Sequence, residues 1–281
     1  RRQNEKMRLN LPERKRIIRV DLSIFINEGA KRVGQIFAVV SGKGGTGKTS
    51  LCAAIASCLA AEGSRVLCID ADIGLRNLDI ALGIPELAAA PFTAFLHAED
   101  TPEQIPEHPQ LPGLYLLTAP VTETPESVDG AAFSAFLEKV RTQFDYCLID
   151  APAGVGAGFR LATRNADRVL VVACGDPASL RDAASVAALL PMRHPGSVRL
   201  IVNRVRPALF SRMGTTIDDL INGTGLRLLG VVPEDLSVPL AAAAGVPLVL
   251  YTGKKSARAC LNIARRLRGR AIPLMKISKR S

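Results

Sequence analysis

The chain is poor in aromatic residues: it has no tryptophan, and phenylalanine and tyrosine together make up only 4% of its 281 residues. A core without many rings must be filled by aliphatic side chains, and 48% hydrophobic residues are enough for one large domain. The sequence also contains no run of about 18 apolar residues and no signal peptide, which excludes a membrane-spanning helix at this level. We therefore expect a soluble, cytoplasmic protein.

The sequence lacks any C-x-x-C pair as well. Its six cysteines are spread over positions 52, 58, 68, 147, 174 and 260, and several lie within apolar runs. This distribution favours buried, reduced thiols over a disulfide framework, and it argues against an iron–sulfur carrier.

Acidic residues are absent from one end of the chain. Residues 254–281 carry ten Lys or Arg and no Asp or Glu, a net charge of +10. Residues 1–33 carry ten Lys or Arg and four Asp or Glu, a net charge of +6. Since the whole chain has a net charge of +10, residues 34–253 have a net charge of −6. The basic character therefore belongs to the two ends. We expect 1–33 to be a basic N-terminal extension, 34–270 to be the folded domain, and 271–281 to be a short basic C-terminal tail. For residues 1–32 two interpretations stay open, a flexible basic tail or upstream sequence included by a wrong start.

A glycine-rich stretch organises the rest of the chain. From Ser41 to Ser50 it reads S-G-K-G-G-T-G-K-T-S, which fits G-x-x-x-x-G-K-[ST], and it stands between an apolar run and a helix-forming run. Its glycines let successive backbone N–H groups turn towards an anion, and the helix N-terminus adds its own positive end. Lys48 suits the β and γ phosphates of a nucleotide, and the hydroxyl of Thr49 suits Mg²⁺.

Apolar runs and helix-forming runs alternate from Ile36 onwards. The apolar runs are mostly continuous, which predicts strands buried on both faces of a mainly parallel sheet. We predict a doubly wound α/β domain with helices on both faces and its site at the carboxyl ends of the strands. The predicted strands are 36–41, 65–70, 114–118, 145–150, 168–174, 198–203 and 227–232. The predicted helices are 47–62, 130–143, 158–165, 178–190, 215–223, 235–245 and 255–269. The segment 85–113 is expected to form a helix and a loop, with His97 and His108 at the surface.

Two of these strands end in carboxylates. The second predicted strand ends in Asp70, and Asp72 follows with one residue between them, so both carboxylates can face the phosphate site. The fourth ends in Asp150, where a rigid sheet would fix a direct or water-mediated Mg²⁺ ligand opposite Thr49.

The K-G-G-T-G-K-T form of the glycine-rich stretch and the run D-A-D-I-G-L-R-N-L-D from Asp70 to Asp79 resemble the MinD/ParA family of deviant phosphate-loop ATPases, and the second run is typical of its septum-placing branch. The resemblance extends from about Gln35 to Leu274. It implies that Lys43 reaches across a dimer to the partner's nucleotide, that Asp72 orients or activates the attacking water, that Asp70 supports the Mg²⁺ shell and that Asn77 helps to hold the water.

Base recognition is expected from two later loops. Asn203 and Arg204 follow the sixth strand, and Pro233, Glu234 and Asp235 follow the seventh. The Asn203 amide suits the edge of adenine, whereas Asp235 could equally cap the next helix. Because no N-K-x-D motif follows a strand, ATP is favoured over GTP. The complete set of expected nucleotide contacts is Gly42, Lys43, Gly44, Gly45, Thr46, Gly47, Lys48, Thr49, Ser50, Asn203, Arg204, Pro233, Glu234 and Asp235.

The resemblance implies an ATP-dependent dimerising switch that hydrolyses ATP, slowly without a partner, to control septum placement in bacterial division. The expected partners are a second copy of the chain, a protein of the MinC or MinE kind, and an anionic membrane surface, with nucleic acid less favoured. One departure weakens the membrane expectation: only Met275 to Ser281 stand where such proteins usually carry a further amphipathic helix. A regulator of flagellar number and a DNA-partition ATPase of the same family remain as alternatives.

Overall fold

The computed structural model describes residues 33–84, 90–97, 104–190, 196–275 and 277. The expected N-terminal extension and parts of segment 85–113 and of the C-terminal tail lie outside these ranges. Seven strands form one sheet in the order β3-β2-β4-β1-β5-β6-β7, and every neighbouring pair is parallel. The strands are β1 Gln35–Val40, β2 Val66–Asp70, β3 Leu114–Leu117, β4 Tyr146–Asp150, β5 Arg168–Ala173, β6 Val198–Val205 and β7 Arg227–Pro233. This arrangement confirms the predicted doubly wound α/β fold.

Helices cover the sheet. They are α1 Lys48–Ala61, α2 Leu78–Leu82, α3 Gly130–Gln143, α4 Ala157–Arg164, α5 Pro177–Leu189, α6 Pro207–Met213, α7 Ile217–Thr224, α8 Ser237–Ala243, α9 Leu248–Tyr251 and α10 Lys255–Leu267. Several begin at side chains suited to that position: Asp129 and Asp176 accept hydrogen bonds from the first turns of α3 and α5, and Thr216 forms a capping box with Asp219.

The core lies on both faces of the sheet. Along β1, Ile36, Ala38 and Val40 belong to one hydrophobic cluster, whereas Phe37 and Val39 belong to the cluster on the opposite face. All five are fully buried. A strand buried on both sides needs apolar residues at every position, which is why these strands appear in the sequence as continuous runs.

All seven predicted strands are present, but the helices were predicted less completely. The predictions contained no helix at α2, α6 or α9, which have five, seven and four residues. In the segment 85–113 the described residues form a 3₁₀ turn, Phe92–Phe95, and irregular structure.

The prediction that His108 lies at the surface was wrong. Only 4% of His108 is exposed. Its Nε2 donates to the carbonyl of Leu82 at 2.9 Å, its Nδ1 accepts from the amide of Gln110, and burial lowers its pKa. His97 is exposed, as expected.

A buried arginine holds the last described segment in place. The Arg266 guanidinium is 6% exposed and donates to the carbonyls of Leu229, Ile272 and Pro273 at 2.9–3.0 Å. Beyond it, Met275 and Ile277 are partly buried against the two core clusters. Within the described residues, no helix is both long and apolar enough to cross a membrane.

Candidate phosphate-binding site

The sheet brings the predicted site residues to one edge. β1 lies between β4 and β5, and the register pairs Val39 with Asp150 and Asp70 with Asp150. Because these parallel strands all end at the same edge, both carboxylates lie beside the chain that leaves β1. Strand order alone therefore assembles this part of the site.

The segment that leaves β1, residues 41–47, is called the phosphate loop below. Gly45 and Gly47 adopt φ values of 79° and 82°, a region that residues with a side chain rarely enter. Gly47 precedes α1 and provides no side-chain cap, so the first amide groups of this 14-residue helix are left for another acceptor. Uncapped amides at a helix N-terminus form a binding site suited to an anion.

Lys48 is paired with Asp150. Its Nζ lies 2.7 Å from Oδ1 of Asp150, and the two side chains are only 7% and 1% exposed. Burial raises the pKa of Asp150 to about 6, and the Lys48 ammonium opposes that rise. The hydroxyl of Thr49 lies 3.5 Å from the same Nζ. The structure thus brings together the lysine, the hydroxyl and the carboxylate that the sequence predicted.

The second oxygen of Asp150 has no protein partner. Oδ2 is fully buried, and within the described residues nothing donates a hydrogen bond to it. A buried carboxylate oxygen without a donor is costly, and a hydrated cation would supply what it lacks. Thr49 and Asp150 therefore fit Mg²⁺.

Asp70 is engaged with backbone amides. Its Oδ1 accepts from the amide of Asp72 at 2.9 Å, and its Oδ2 accepts from those of Asn77 and Leu78 at 3.1 Å. Burial raises the pKa of Asp70, and these hydrogen bonds oppose the rise. Asp70 therefore holds the loop 71–77 in shape and anchors the start of α2. Its predicted support of Mg²⁺ stays a prediction.

Asp72 lies close enough to Lys48 to be affected by its charge, whereas Asn77 is exposed. Asp72 is half-buried, which raises its pKa, and the nearby charge of Lys48 opposes that rise. Asn77 precedes α2 without a side-chain cap. Between them the loop is open to solvent, with Leu75 69% exposed, and Arg76 pairs with Asp79 at 2.9 Å. The catalytic roles expected of Asp72 and Asn77 remain predictions.

Lys43 does not contact Lys48 or Asp150. Its Nζ donates to Oδ1 of Asp176 at 2.9 Å, and about 36% and 41% of these two side chains are exposed. That hydrogen bond is the main reason why the pKa of Lys43 is raised. The sequence analysis did not identify Asp176, although an Asp directly before Pro177 is a recognisable helix start.

Asn203 and Arg204 bind the phosphate loop itself. Asn203 donates from Nδ2 to the carbonyl of Thr46 at 2.8 Å, and Arg204 donates from Nη1 to the carbonyl of Gly45 at 3.0 Å. Arg204 also pairs with Glu234 at 2.9 Å, and Arg206 binds the same carboxylate. Arg206 is a residue that the sequence analysis did not single out.

A cavity of about 320 Å³ adjoins the loop, and its walls combine polar and apolar residues. Asn203, Arg204, Pro233, Glu234 and Asp235 all line it, so the residues expected to contact the base do lie together. Ser50, Leu51 and Ala54 of α1 form another wall.

Asp235, one of the residues lining this cavity, serves as a cap. Its Oδ1 accepts from the amide of Ser237 at the start of α8, and its Oδ2 accepts from the amide and hydroxyl of Ser256 in α10. The helix-capping alternative for Asp235 is therefore observed, and contact with a base stays a prediction.

The loop after β4 is tied to the phosphate loop. The amide of Gly154 donates to the carbonyl of Ser41 at 3.0 Å, and Gly154 has a φ of 86°. Val155, next to it, is 43% exposed. One glycine hydrogen bond thus links a solvent-exposed loop to the residues that would surround a phosphate.

Comparison with known proteins gives consistent matches. The family model described as the CobQ/CobB/MinD/ParA nucleotide binding domain matches residues 37–248. The septum site-determining protein MinD of Synechocystis sp. is 35% identical over 246 residues, which are 86% of this chain and 92% of that protein.

Two solved structures extend this comparison. The MinC:MinD cell division protein complex of Aquifex aeolicus matches with a TM-score of 0.78 and 32% identity, covering 86% of this chain and 98% of that one. MinD of Pyrococcus horikoshii OT3, complexed with Mg-ADP, matches with a TM-score of 0.71 and 24% identity over 83% of this chain and 96% of that one, a likeness of fold.

Proposed function

The chain belongs to the CobQ/CobB/MinD/ParA nucleotide-binding family and is a MinD-type ATPase of cell division, and we propose that it works as a Mg²⁺-dependent switch that dimerises with ATP bound and separates after hydrolysis. The observation that carries this proposal is the buried Lys48–Asp150 pair beside the uncapped helix α1. The charges of this pair cancel in the free protein. When a triphosphate and a divalent cation bind, the lysine can pair with the triphosphate and the carboxylate with the cation.

When nucleotide binds, two groups can accept hydrogen bonds from Lys48: the carboxylate of Asp150 and the phosphates. In the free protein its ammonium is neutralised by Asp150 in a site with almost no solvent. We expect Nζ to turn to the β and γ phosphates, while Asp150 and Thr49 hold Mg²⁺ or its water. The unpartnered Oδ2 of Asp150 supports this role. Mg²⁺, when bound, neutralises charge on the same two phosphates.

Hydrolysis requires a positioned water, and Asp72 is the proposed group that orients it. Burial raises the pKa of Asp72, which makes its carboxylate a better proton acceptor than an exposed one. Its backbone is fixed through Asp70, so the carboxylate does not depend on a free loop for its position. Asn77 is proposed to hold the same water from the other end of the segment.

We propose that the second copy covers the edge of the sheet where the nucleotide binds. Leu75 and Val155 expose 69% and 43% of their surface on the two loops next to the site. Lys43 stands on the phosphate loop with a half-exposed partner that it can leave. In the dimer its ammonium would act on the phosphates of the other protomer, as a cation supplied in trans.

ATP is the proposed nucleotide. Asn203 lines the cavity, and because its Nδ2 donates to the carbonyl of Thr46, we propose that its Oδ1 is the atom that meets the base, as an acceptor. An acceptor matches the amino group of adenine and opposes the carbonyl oxygen of guanine. The proposal therefore predicts a preference for ATP over GTP that rests on the orientation of one amide.

A protein partner and an anionic membrane surface are also proposed as binding partners of this chain. The Aquifex complex contains MinC, which supports a partner of that kind for this chain. Attachment of the cytoplasmic protein to anionic lipid would depend on the basic ends, at about 1 kcal/mol for each Lys or Arg near the surface. Met275 and Ile277 already pack on the domain, so insertion of apolar side chains would first have to detach them.

The first test measures nucleotide binding, dimerisation and turnover in variants. Lys48→Ala should abolish nucleotide binding, whereas Lys43→Ala and Asp72→Ala should bind ATP nearly as wild type and lose turnover or ATP-dependent dimerisation. Lys139→Ala, on the exposed side of α3, is the matched control and should change neither. Normal turnover in both Lys43→Ala and Asp72→Ala would contradict the proposed mechanism.

The second test separates a membrane role from a partition role. Flotation with anionic vesicles in ATP and in ADP, beside a duplex-DNA binding assay, distinguishes the two surfaces. ATP-dependent flotation is the expected result. DNA binding that requires ATP and falls steeply with salt, without flotation, would instead favour the DNA-partition alternative.

A further inference from the structure

Two neighbouring residues at the end of β6 bind two consecutive carbonyl groups of the phosphate loop. Asn203 donates to the carbonyl of Thr46, and Arg204 donates to the carbonyl of Gly45. These residues are separated by 157 and 159 positions in the sequence, so the contacts exist only because β6 ends beside the loop. Both hydrogen bonds reach the loop from the side of β6.

The direction of a carbonyl fixes the direction of the amide that follows it. In a trans peptide the C=O and N–H groups point to opposite sides. When Asn203 and Arg204 hold the carbonyls of Thr46 and Gly45 outwards, the N–H groups of Gly47 and Thr46 must point inwards. Successive inward N–H groups are what binds phosphate in loops of this kind.

The surroundings leave these donors little freedom. Asn203 is 6% exposed, and a Cβ added to Gly47 would come within 2.4 Å of its Nδ2, so the amide packs directly on the loop. Arg204 has a φ of 53°, an unfavourable value for a residue with a side chain. Its guanidinium is braced by Glu234, which Arg206 binds from the other side. A strained backbone and a braced head group both serve to place one N–H donor at Gly45.

We propose that Asn203 and Arg204 are positioning residues for phosphate binding, which act by fixing the peptide planes 45–46 and 46–47, so that their effect does not require a base. This inference rests on the proposed nucleotide function of the loop. The inference also distinguishes Arg204 from a residue that only lines the base cavity. Substitution of such a residue would weaken the binding of ATP and leave the binding of a polyphosphate without a base unchanged.

Inorganic tripolyphosphate is the probe that distinguishes these roles. Arg204→Ala should weaken the binding of both ATP and tripolyphosphate, with Mg²⁺ present, by about five- to tenfold, the range for loss of a partly exposed hydrogen bond from a charged donor. Arg212→Ala is the matched control: it removes an exposed arginine of α6 that, among the described residues, makes no hydrogen bond to the phosphate loop or to Glu234. Its tripolyphosphate affinity should stay within twofold of wild type. Millimolar guanidinium should restore part of the affinity of Arg204→Ala and leave that of Arg212→Ala unchanged.

Asn203→Ala should have the larger effect, about ten- to a hundredfold on both ligands, because the carbonyl of Thr46 loses its buried amide donor and keeps only the weak thiol donor of Cys174 at 3.8 Å. If that variant fails to fold, Arg204→Ala still tests the inference, since about half of the Arg204 side chain (49%) is exposed and its loss leaves no cavity in the core. If Arg204→Ala loses ATP binding but binds tripolyphosphate as wild type does, the inference is overturned, and Arg204 acts on the base instead. Lys48→Ala, measured in parallel, tests the site itself: if it too retains tripolyphosphate affinity, the proposed function fails first.

Discussion

We expect Asp176→Asn to strengthen ATP-dependent dimerisation by about fivefold. In the free protomer Lys43 is held by Asp176 at 2.9 Å, and this bond must break before Lys43 can reach another protomer. With 36% and 41% of the side chains exposed, the pair stabilises the free form by only about 0.5 kcal/mol. Two such pairs break in each dimer, so the total cost is about 1 kcal/mol, or roughly a factor of five in the dissociation constant.

The substitution is chosen to remove charge and leave the helix start intact. Asp176 also accepts a hydrogen bond from the amide of Ser179 at the start of α5, and Asn is as good an N-cap as Asp. Asp129→Asn is the matched control, because it makes the same change at the exposed N-cap of α3.

Sedimentation of each variant with a non-hydrolysable ATP analogue, which prevents turnover without a second substitution, measures the dissociation constant of the dimer. The gain should shrink as salt is raised, because screening weakens an exposed pair. Equal or weaker dimerisation of Asp176→Asn at low salt would refute the idea that this bond restrains Lys43.

Three further predictions concern stability. Burial raises the pKa of Asp150 to about 6, so its contribution to the free energy of unfolding is fully present below about pH 4 and is lost as pH rises through about 6. The difference between wild type and Asp150→Asn should therefore fall by roughly 2 kcal/mol from pH 4 to pH 7 in chemical denaturation, and a constant difference would contradict it. Phe133→Ala should cost about 3–5 kcal/mol in urea denaturation, because Phe133 is fully buried with its ring centroid 5.4 Å from that of Phe92. Arg266→Leu removes the donor that ties the carbonyls of Ile272 and Pro273 to the domain, so limited trypsin digestion should cleave the C-terminal segment faster than in wild type.

Strands were predictable because they are buried on both faces, whereas short helices were not. α2 follows directly on the loop 71–77, and five residues give too little periodicity to identify a helix. α6 did offer a signal, Pro207 at its first position. His108 was misplaced for a different reason: its burial depends on a hydrogen bond to Leu82, 26 residues earlier, which no local pattern reports.

In the site as well, features set by neighbouring residues were predictable from the sequence, whereas contacts between distant residues were not. Gly47, Lys48 and Thr49 form a local pattern whose strand and helix context is visible in the sequence, and the structure places them accordingly. The bond from Asn203 to the phosphate loop is a consequence of sheet order. Sequence spacing cannot supply that order, so the amide of Asn203 and its place after a strand suggested a base contact and not a bond to the loop.

The central position of β1 also governs when the protein can become functional during synthesis. β1 is made early, but its neighbours are β4 and β5, which end at Asp150 and Ala173. At about 5–20 residues per second, a ribosome needs on the order of ten seconds to pass from β1 to the end of β5. Until β4 is made, the glycine-rich segment has no carboxylate opposite Lys48 and β1 has no partner on either side; until β5 is made, one side of β1 still lacks its neighbour. Nascent chains should therefore acquire affinity for nucleotide only late in translation, and the emerging N-terminal half is the part that most needs protection from association with other chains.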